Sequence, residues 1–336
     1  MKNKIKAVTG SKVFVLIIIL AVLIILFSVW SPHVGMKFLV PSTIRNILHS
    51  VVTTSFLTIG AGCLLISGNV DLAMSAIGCL GGQIIGNMIA KGAPWYLAIL
   101  CGFIVCAIFG CIDGTLISKF KFPAFIATMG VSYIAKGCTY LFSAACNNGQ
   151  ALSLNYKHPV LDYLANGRIL GLPTGVYVMI IFFLFYGIML KRSKFGFKIR
   201  MVGGNPMAAK LAGINSEKII FTLFINASIM GCISAIFNAA KIGQASLNAL
   251  GSNQFTGMTA AMIGGISFGG GRGGMGGAFL GLLILNTFPV GMSTVGVNPF
   301  WVTTFSGILL IFALVSDQLQ NLARGLFSPR KKGGKA

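Results

Sequence analysis

The sequence predicts an all-α membrane protein of about ten transmembrane helices with both termini on the cytoplasmic side. Three observations predict it. Charged residues are 9% of the 336 residues, hydrophobic ones are 55%, and the mean hydropathy is +0.87, far from the roughly 25% charged content of an average soluble domain. Apolar runs bounded by Pro, Gly and charge follow one another along the chain, and about 20 residues per span fills its length without leaving room for a separate soluble domain. Basic residues gather at alternate ends of those runs.

The first run, 13–30, follows Lys2, Lys4, Lys6 and Lys12 and imitates a signal peptide. Bulky Trp30 stands where a small cleavage-site residue is expected, so the run reads as an uncleaved first span. The remaining spans fall at 46–66, 71–89, 95–117, 123–142, 174–190, 218–240, 255–268, 275–292 and 300–320. With a cytoplasmic N-terminus, 19 of the 26 Lys and Arg lie on inner segments, and seven (Lys37, Arg45, Lys91, Lys136, Lys157, Arg168, Lys241) lie outside. The positive-inside rule selects this orientation. Residues 1–336 thus read as one membrane domain with an inner loop at 191–217, an outer loop at 143–173 and a basic cytoplasmic tail at 325–336.

The formal charge of +21 reads as a topology signal rather than a nucleic-acid footprint, because the basic residues sit at span ends. Only five acids exist (Asp71, Asp113, Asp162, Glu217, Asp317), too few for clustered carboxylate catalysis, and no catalytic residue is assigned. The eight cysteines form no CxxC pair and mostly lie inside apolar runs as small packing residues, with a Cys138–Cys146 disulfide near the outer loop as a minor option. His33, His49 and His158 lack metal-ligand spacing, so no metal is expected.

Several stretches break the apolar pattern. The segment 66-ISGNVDLAMSA-76 puts Asn69 and Asp71 between two helices. There Asp71 either marks a translocation pathway or caps the next helix. In 264-GGISFGGGRGGMGG-277 the glycines at 269, 271 and 274 match GxGxxG, but no βαβ unit surrounds them, and a tight re-entrant turn with Arg272 at the inner face is the better reading. Gly78, Gly82 and Gly86, like Gly273, Gly277 and Gly281, recur every fourth residue, the spacing of a close helix-packing seam. The outer loop, rich in Asn, Gly and Pro, is either a surface for an external partner or a linker.

The inner stretch 202-VGGNPMAAKLAGINSEKI-219 predicts a short helix from Pro206 to Ala212, with Asn205 as its N-cap and Gly213 as its stop. It has the form of a docking element; the alternative is a helix lying on anionic lipid. The nucleotide loop GxxxxGK[ST] is absent, so any ATP that drives this protein is bound by another chain.

Taken together these residues resemble the permease subunit of ABC importers for monosaccharides, the ribose, xylose, arabinose and galactose group. Gly68, Asn69, Val70, Asp71, Leu72, Ala73, Met74 and Ser75 match that family's Gly-Gly-Ile-Asp-Leu-Ser-Val-Gly stretch. Gly203, Gly204, Asn205, Ala208, Ala209, Leu211, Ala212, Gly213 and Ile214 match its Gly-Gly-Asn-x-x-Ala-Ala-x-Leu-Ser/Ala-Gly-Ile stretch. Gly264, Gly265, Ser267, the glycines around Arg272, and the Val297, Asn298, Pro299, Phe300, Trp301 run complete the likeness over about residues 13–325. The sequence departs from the pattern at Asn69, Ala73 and Met207.

The resemblance implies the ABC importer permease fold, a homodimer or heterodimer of permeases, two ATPase subunits inside and an external sugar-binding protein above. It implies that Gly203, Gly204, Asn205, Pro206, Ala208, Ala209, Leu211 and Gly213 couple to the ATPase, and that Asn69, Asp71, Ser75 and Arg272 serve as pathway or gate. ATP and Mg belong to the partner, and this chain binds no cofactor. Within the resemblance a nucleoside or autoinducer permease is the nearest alternative. Outside it stand a proton-coupled secondary transporter using Asp71 and a membrane-embedded enzyme, for which clustered titratable groups are missing.

Overall fold

Long apolar runs free of charge satisfy their backbone polar groups internally only as helices, and the computed structural model is built almost entirely of them. It describes residues 12–35, 37–155, 158–251, 253–298, 300–305, 307–309, 311 and 315. The helices are α1 Lys12–Trp30, α2 Pro41–Ile66, α3 Met74–Ala90, α4 Trp95–Ser118, α5 Ala124–Cys146, α6 Pro159–Asn166, α7 Thr174–Arg192, α8 Lys194–Gly204, α9 Pro206–Leu211, α10 Ser216–Ile242, α11 Asn253–Ile263 and α12 Met275–Thr294. Residues 300–305 and 307–309 are also helical. The basic tail at 325–336, Pro299 and the first three lysines lie outside the described residues.

Six of these helices are long and apolar enough to cross a membrane: α1, which continues to His33, α2, α4, α7, α10 and α12. The expected ten spans differ from these six for local reasons. Helix α3 has only 17 residues, α5 carries Lys136 among hydroxyl residues, and the 255–268 run folds as an 11-residue helix. Part of 300–320 is not described.

The centre of the bundle is α2, buried over 83% of its most apolar window, whereas α1 is buried over only 11% and presents Ile18, Val22, Ile25 and Val29 outward. Helix α10 packs on α2, α3 and α4, and α11 fills the groove between α2 and α12. Phe56 of α2 is held between Phe237, stacked at 5.1 Å, and Phe182, edge-on at 5.3 Å. The α3–α10 crossing depends on glycine, since a Cβ on Gly78 would overlap the Gly231 carbonyl.

Ahead of the short helix α11, residues 244–251 run as non-helical chain beside α3: Gln83 Nε2 donates to the Ala245 carbonyl (2.9 Å), and Leu250 packs on Cys79. Helix α11 then continues from Asn253, its Gly257 against Leu57 and Thr58 of α2. Non-helical backbone among apolar helices is tolerated here because it is enclosed by protein. The 143–173 loop contains α6 and the two-residue strands β1 Leu154–Asn155, β2 Arg168–Ile169 and β3 Leu172–Pro173. The ladder Leu154↔Ala245, Asn155↔Gln244 ties β1 antiparallel to β4 (Gln244–Ala245), where the 244–263 stretch begins. Cys138 and Cys146, the disulfide option, are free thiols, as are the other six cysteines.

Candidate functional site

Three glycine-rich segments, far apart in sequence, meet at one end of the bundle. Helix α2 ends at Ile66, and Gly68 turns the chain with φ +80°. Gly271 (φ +72°) of the loop after α11 donates its N–H to the Ile66 carbonyl at 2.8 Å. Between them lies the end of α8, where a Cβ on Gly203 would overlap that same carbonyl. A Cβ on Gly270 (φ +81°) would come within 2.6 Å of the Gly203 oxygen, and one on Gly271 within 2.7 Å of Gly204 Cα. Positive φ and the absence of side chains are both required, so glycine alone fits. Arg200 adds a 3.5 Å contact from its guanidinium to the Gly273 carbonyl.

The chain 67–73 then turns back into the bundle, since Met74 lies against Gly60, six residues or about 9 Å before α2 ends. Here Asp71, 5% exposed, accepts from the N–H groups of Ala73 (2.6 Å) and Met74 (3.2 Å) through Oδ1. It therefore holds the turn that leads into α3, whose N-cap position is Ala73. Gln254, at the start of α11, clamps the same place: its Nε2 donates to the Asp71 carbonyl (2.9 Å), and its Oε1 accepts from the Ser75 N–H (3.2 Å) and hydroxyl. Thr128 of α5 accepts the Leu72 N–H at 3.1 Å. The turn before α3 and the start of α11 thus meet inside the bundle at Asp71 and Ser75.

Asp71 Oδ2 has no hydrogen-bond partner among the described residues, nor has either carboxylate oxygen of fully buried Asp113 on α4. The one ion pair among those residues is exposed, Lys121–Glu217 at 2.9 Å. No group of three metal-ligating side chains occurs among them.

The structure brings Asp71 and Ser75 into one polar cluster, leaves Asn69 half-buried above it, bonded to Ser67, and leaves Arg272 exposed at the glycine junction. Gly203 and Gly204 end α8, and Asn205 then caps α9 by accepting the Ala208 N–H at 3.0 Å. Pro206 opens α9, Ala209 is buried beneath it, and Gly213 follows with φ +74°. Gly78 and Gly82 face Gly231 and Ala235 of α10, while Gly86 lies on the same helix. Gly277 and Gly281 press on Gly264 and Ala260 of α11. Gly273, however, is not on that helix stripe: it precedes α12 in the loop, at φ +118° against Ile266. Sequence reading missed Gln254 and Thr128: Thr128 is a lone hydroxyl in an apolar stretch, and Gln254 sits among Ser252, Asn253 and Thr256 just before the 255–268 run, where its polarity reads as loop.

A bundle with six helices long and apolar enough to cross a membrane, closed at one end by a backbone junction, has the make-up of a membrane component. The chain belongs to the family described as branched-chain amino acid transport system, permease component, whose model matches residues 43–314. It is a permease subunit of the inner membrane. It is 31% identical over 306 residues to the fructose import permease protein of Rhizobium meliloti, covering 89% of this chain and 84% of that one. Identity is 29% over 299 residues to the ribose import permease protein of Bacillus subtilis, covering 89% and 90%. With the L-arabinose ABC transporter permease protein of Azospirillum brasilense it is 26% over 306 residues, covering 91% and 88%. No solved structure matches the chain.

Proposed function

We propose that this chain passes a monosaccharide through the membrane as the permease subunit of an ATP-binding-cassette importer. The printed substrates of its relatives, fructose, ribose and arabinose, support that solute class. In this reading the chain makes ten crossings with both termini cytoplasmic: the six long helices, α3, α5, the broken crossing 244–263 and the helix beginning at Phe300. A second permease copy or paralogue completes the pathway, an external binding protein delivers the sugar over residues 143–173, and a separate ATPase supplies ATP and Mg. The chain itself binds no cofactor.

The observation that carries the coupling role is the surface of α9. Met207 and Leu211, four residues apart and so on one face, are 68% and 84% exposed, while Ala209 anchors the helix to the bundle. An apolar pair held out on a capped helix suits a groove in a partner. The helix is joined through Asn205 to Gly203 and Gly204, so a pull on it reaches the Ile66 and Gly271 backbones without an intervening side chain. That displacement would bear on Asp71, Ser75 and the start of α11, the gate of this reading, with Arg272 at its rim.

Ala208→Glu with Leu211→Asp is expected to abolish ATP-dependent sugar uptake in vesicles holding the whole transporter, while immunoblots find the chain in the membrane at normal level. Normal uptake refutes the coupling role. Uptake by this chain alone, driven by a proton gradient without ATP, would make it a secondary transporter instead.

A further inference from the structure

A groove of about 650 Å³ runs along the outside of the bundle between α7 and the first turns of α12. Its walls are Ile180, Phe183, Leu184, Ile188 and Phe279, and its floor is opened by glycine on both sides. A Cβ on Gly187 would meet only Met275 Cβ at 3.8 Å, and one on Gly276 would meet nothing within 4 Å. At one end the lining becomes Lys191 and Arg192, both exposed and neither in an ion pair among the described residues.

The dimensions fit one kind of occupant. From Ile180 to Arg192 is 13 residues of helix, a rise of about 18 Å, close to the roughly 15 Å of one leaflet's hydrocarbon. Beyond the basic end the chain bends at Ser193 into α8, which buries Gly196, Ile199 and Val202 and exposes Lys194, Phe197 and Lys198. A helix with cations and an aromatic ring on its outer face lies in the headgroup plane of anionic membrane. Chain-length apolar slot and cationic rim therefore meet where a lipid's tail and phosphate meet.

We infer that the α7–α12 groove is a binding site for an anionic phospholipid, one acyl chain lying over Gly187 and Gly276 and the headgroup phosphate held by Lys191 and Arg192 with Lys194 and Lys198 beside it. The site is independent of the sugar assignment.

The test is native mass spectrometry of the full-length chain released from vesicles of phosphatidylcholine and phosphatidylglycerol at equal amounts. The wild type is expected to retain phosphatidylglycerol in preference to phosphatidylcholine. Lys191→Gln with Arg192→Gln, two exposed positions that do not threaten folding, is expected to lower that preference about 30-fold, each cation near the surface being worth about a factor of five. Gly187→Trp, which fills the slot, is expected to lose both lipids. Equal retention of the two lipids by the wild type, or a preference unchanged in the double variant, overturns the inference. A change in oligomeric mass for Gly187→Trp also overturns it, because the groove would then be a seat for a second copy of the chain.

Discussion

The two ends of the bundle are closed in different ways. At one end main chain meets main chain: the Ile66 carbonyl, the Gly271 N–H and Gly203 occupy one spot with no side chain between them. At the other, a short main-chain ladder, Leu154 to Ala245 and Asn155 to Gln244, is surrounded by side chains that do the rest of the joining. Gln83 holds Ala245 at 2.9 Å, Asn147 reaches Asn87 at 3.2 Å, Asn166 holds the Ala240 carbonyl at 3.1 Å, and Ser143 both donates to the Leu152 carbonyl and accepts its N–H. An amide can rotate and exchange partners, so the second end can adjust by degrees. A glycine contact has no such freedom, and displacement of one strand of the junction must displace the others.

If that contrast is sound, substitutions rank by which end they touch. Gly203→Ala is expected to have the largest effect, near 3 kcal/mol or loss of folding, because its methyl would overlap the Ile66 carbonyl between two fixed backbones. The thermal midpoint of the purified chain checks it, and a midpoint within a degree of wild type would mean that the junction yields. Next comes Gln254→Ala, expected to cost about 2 kcal/mol by leaving the Asp71 carbonyl without its donor and the Ser75 hydroxyl without its acceptor. Gln83→Ala, the matching deletion at the adjustable end, should cost only about 1 kcal/mol. Equal losses in the same unfolding assay would erase the distinction drawn between the ends. Lys121→Gln should be smallest, a shift in midpoint no larger than the scatter of the measurement, since its pair with Glu217 is more than half exposed on both sides.

Much of this molecule is legible in the sequence. Nine helices lie within a few residues of apolar runs read from composition, because burial of a helix at membrane depth demands an unbroken apolar string. The α9 cap is equally plain, because Asn205 and Pro206 act locally. What was hidden depended on distance. Helix α8 reads as a polar loop, since Lys194, Lys198 and Arg200 interrupt its apolar residues, and only its packing reveals Ile199 and Val202 as an inner face. The 255–268 run reads as one span because hydropathy does not show that the helix stops at Ile263 and that 264–268 is loop. Each glycine run was visible by itself. That three of them share one point is a tertiary fact.

The small ladder joining Leu154 to Ala245 has a mechanical meaning. It splices the 143–173 loop to the chain that leads into the interior, and Gln254 lies nine residues further along that chain. The clamp on Asp71 is thereby tethered from both sides, by covalent chain back to the ladder and by the 67–73 turn back to Ile66 and the glycine junction. Gln254 is the knot where the two tethers meet.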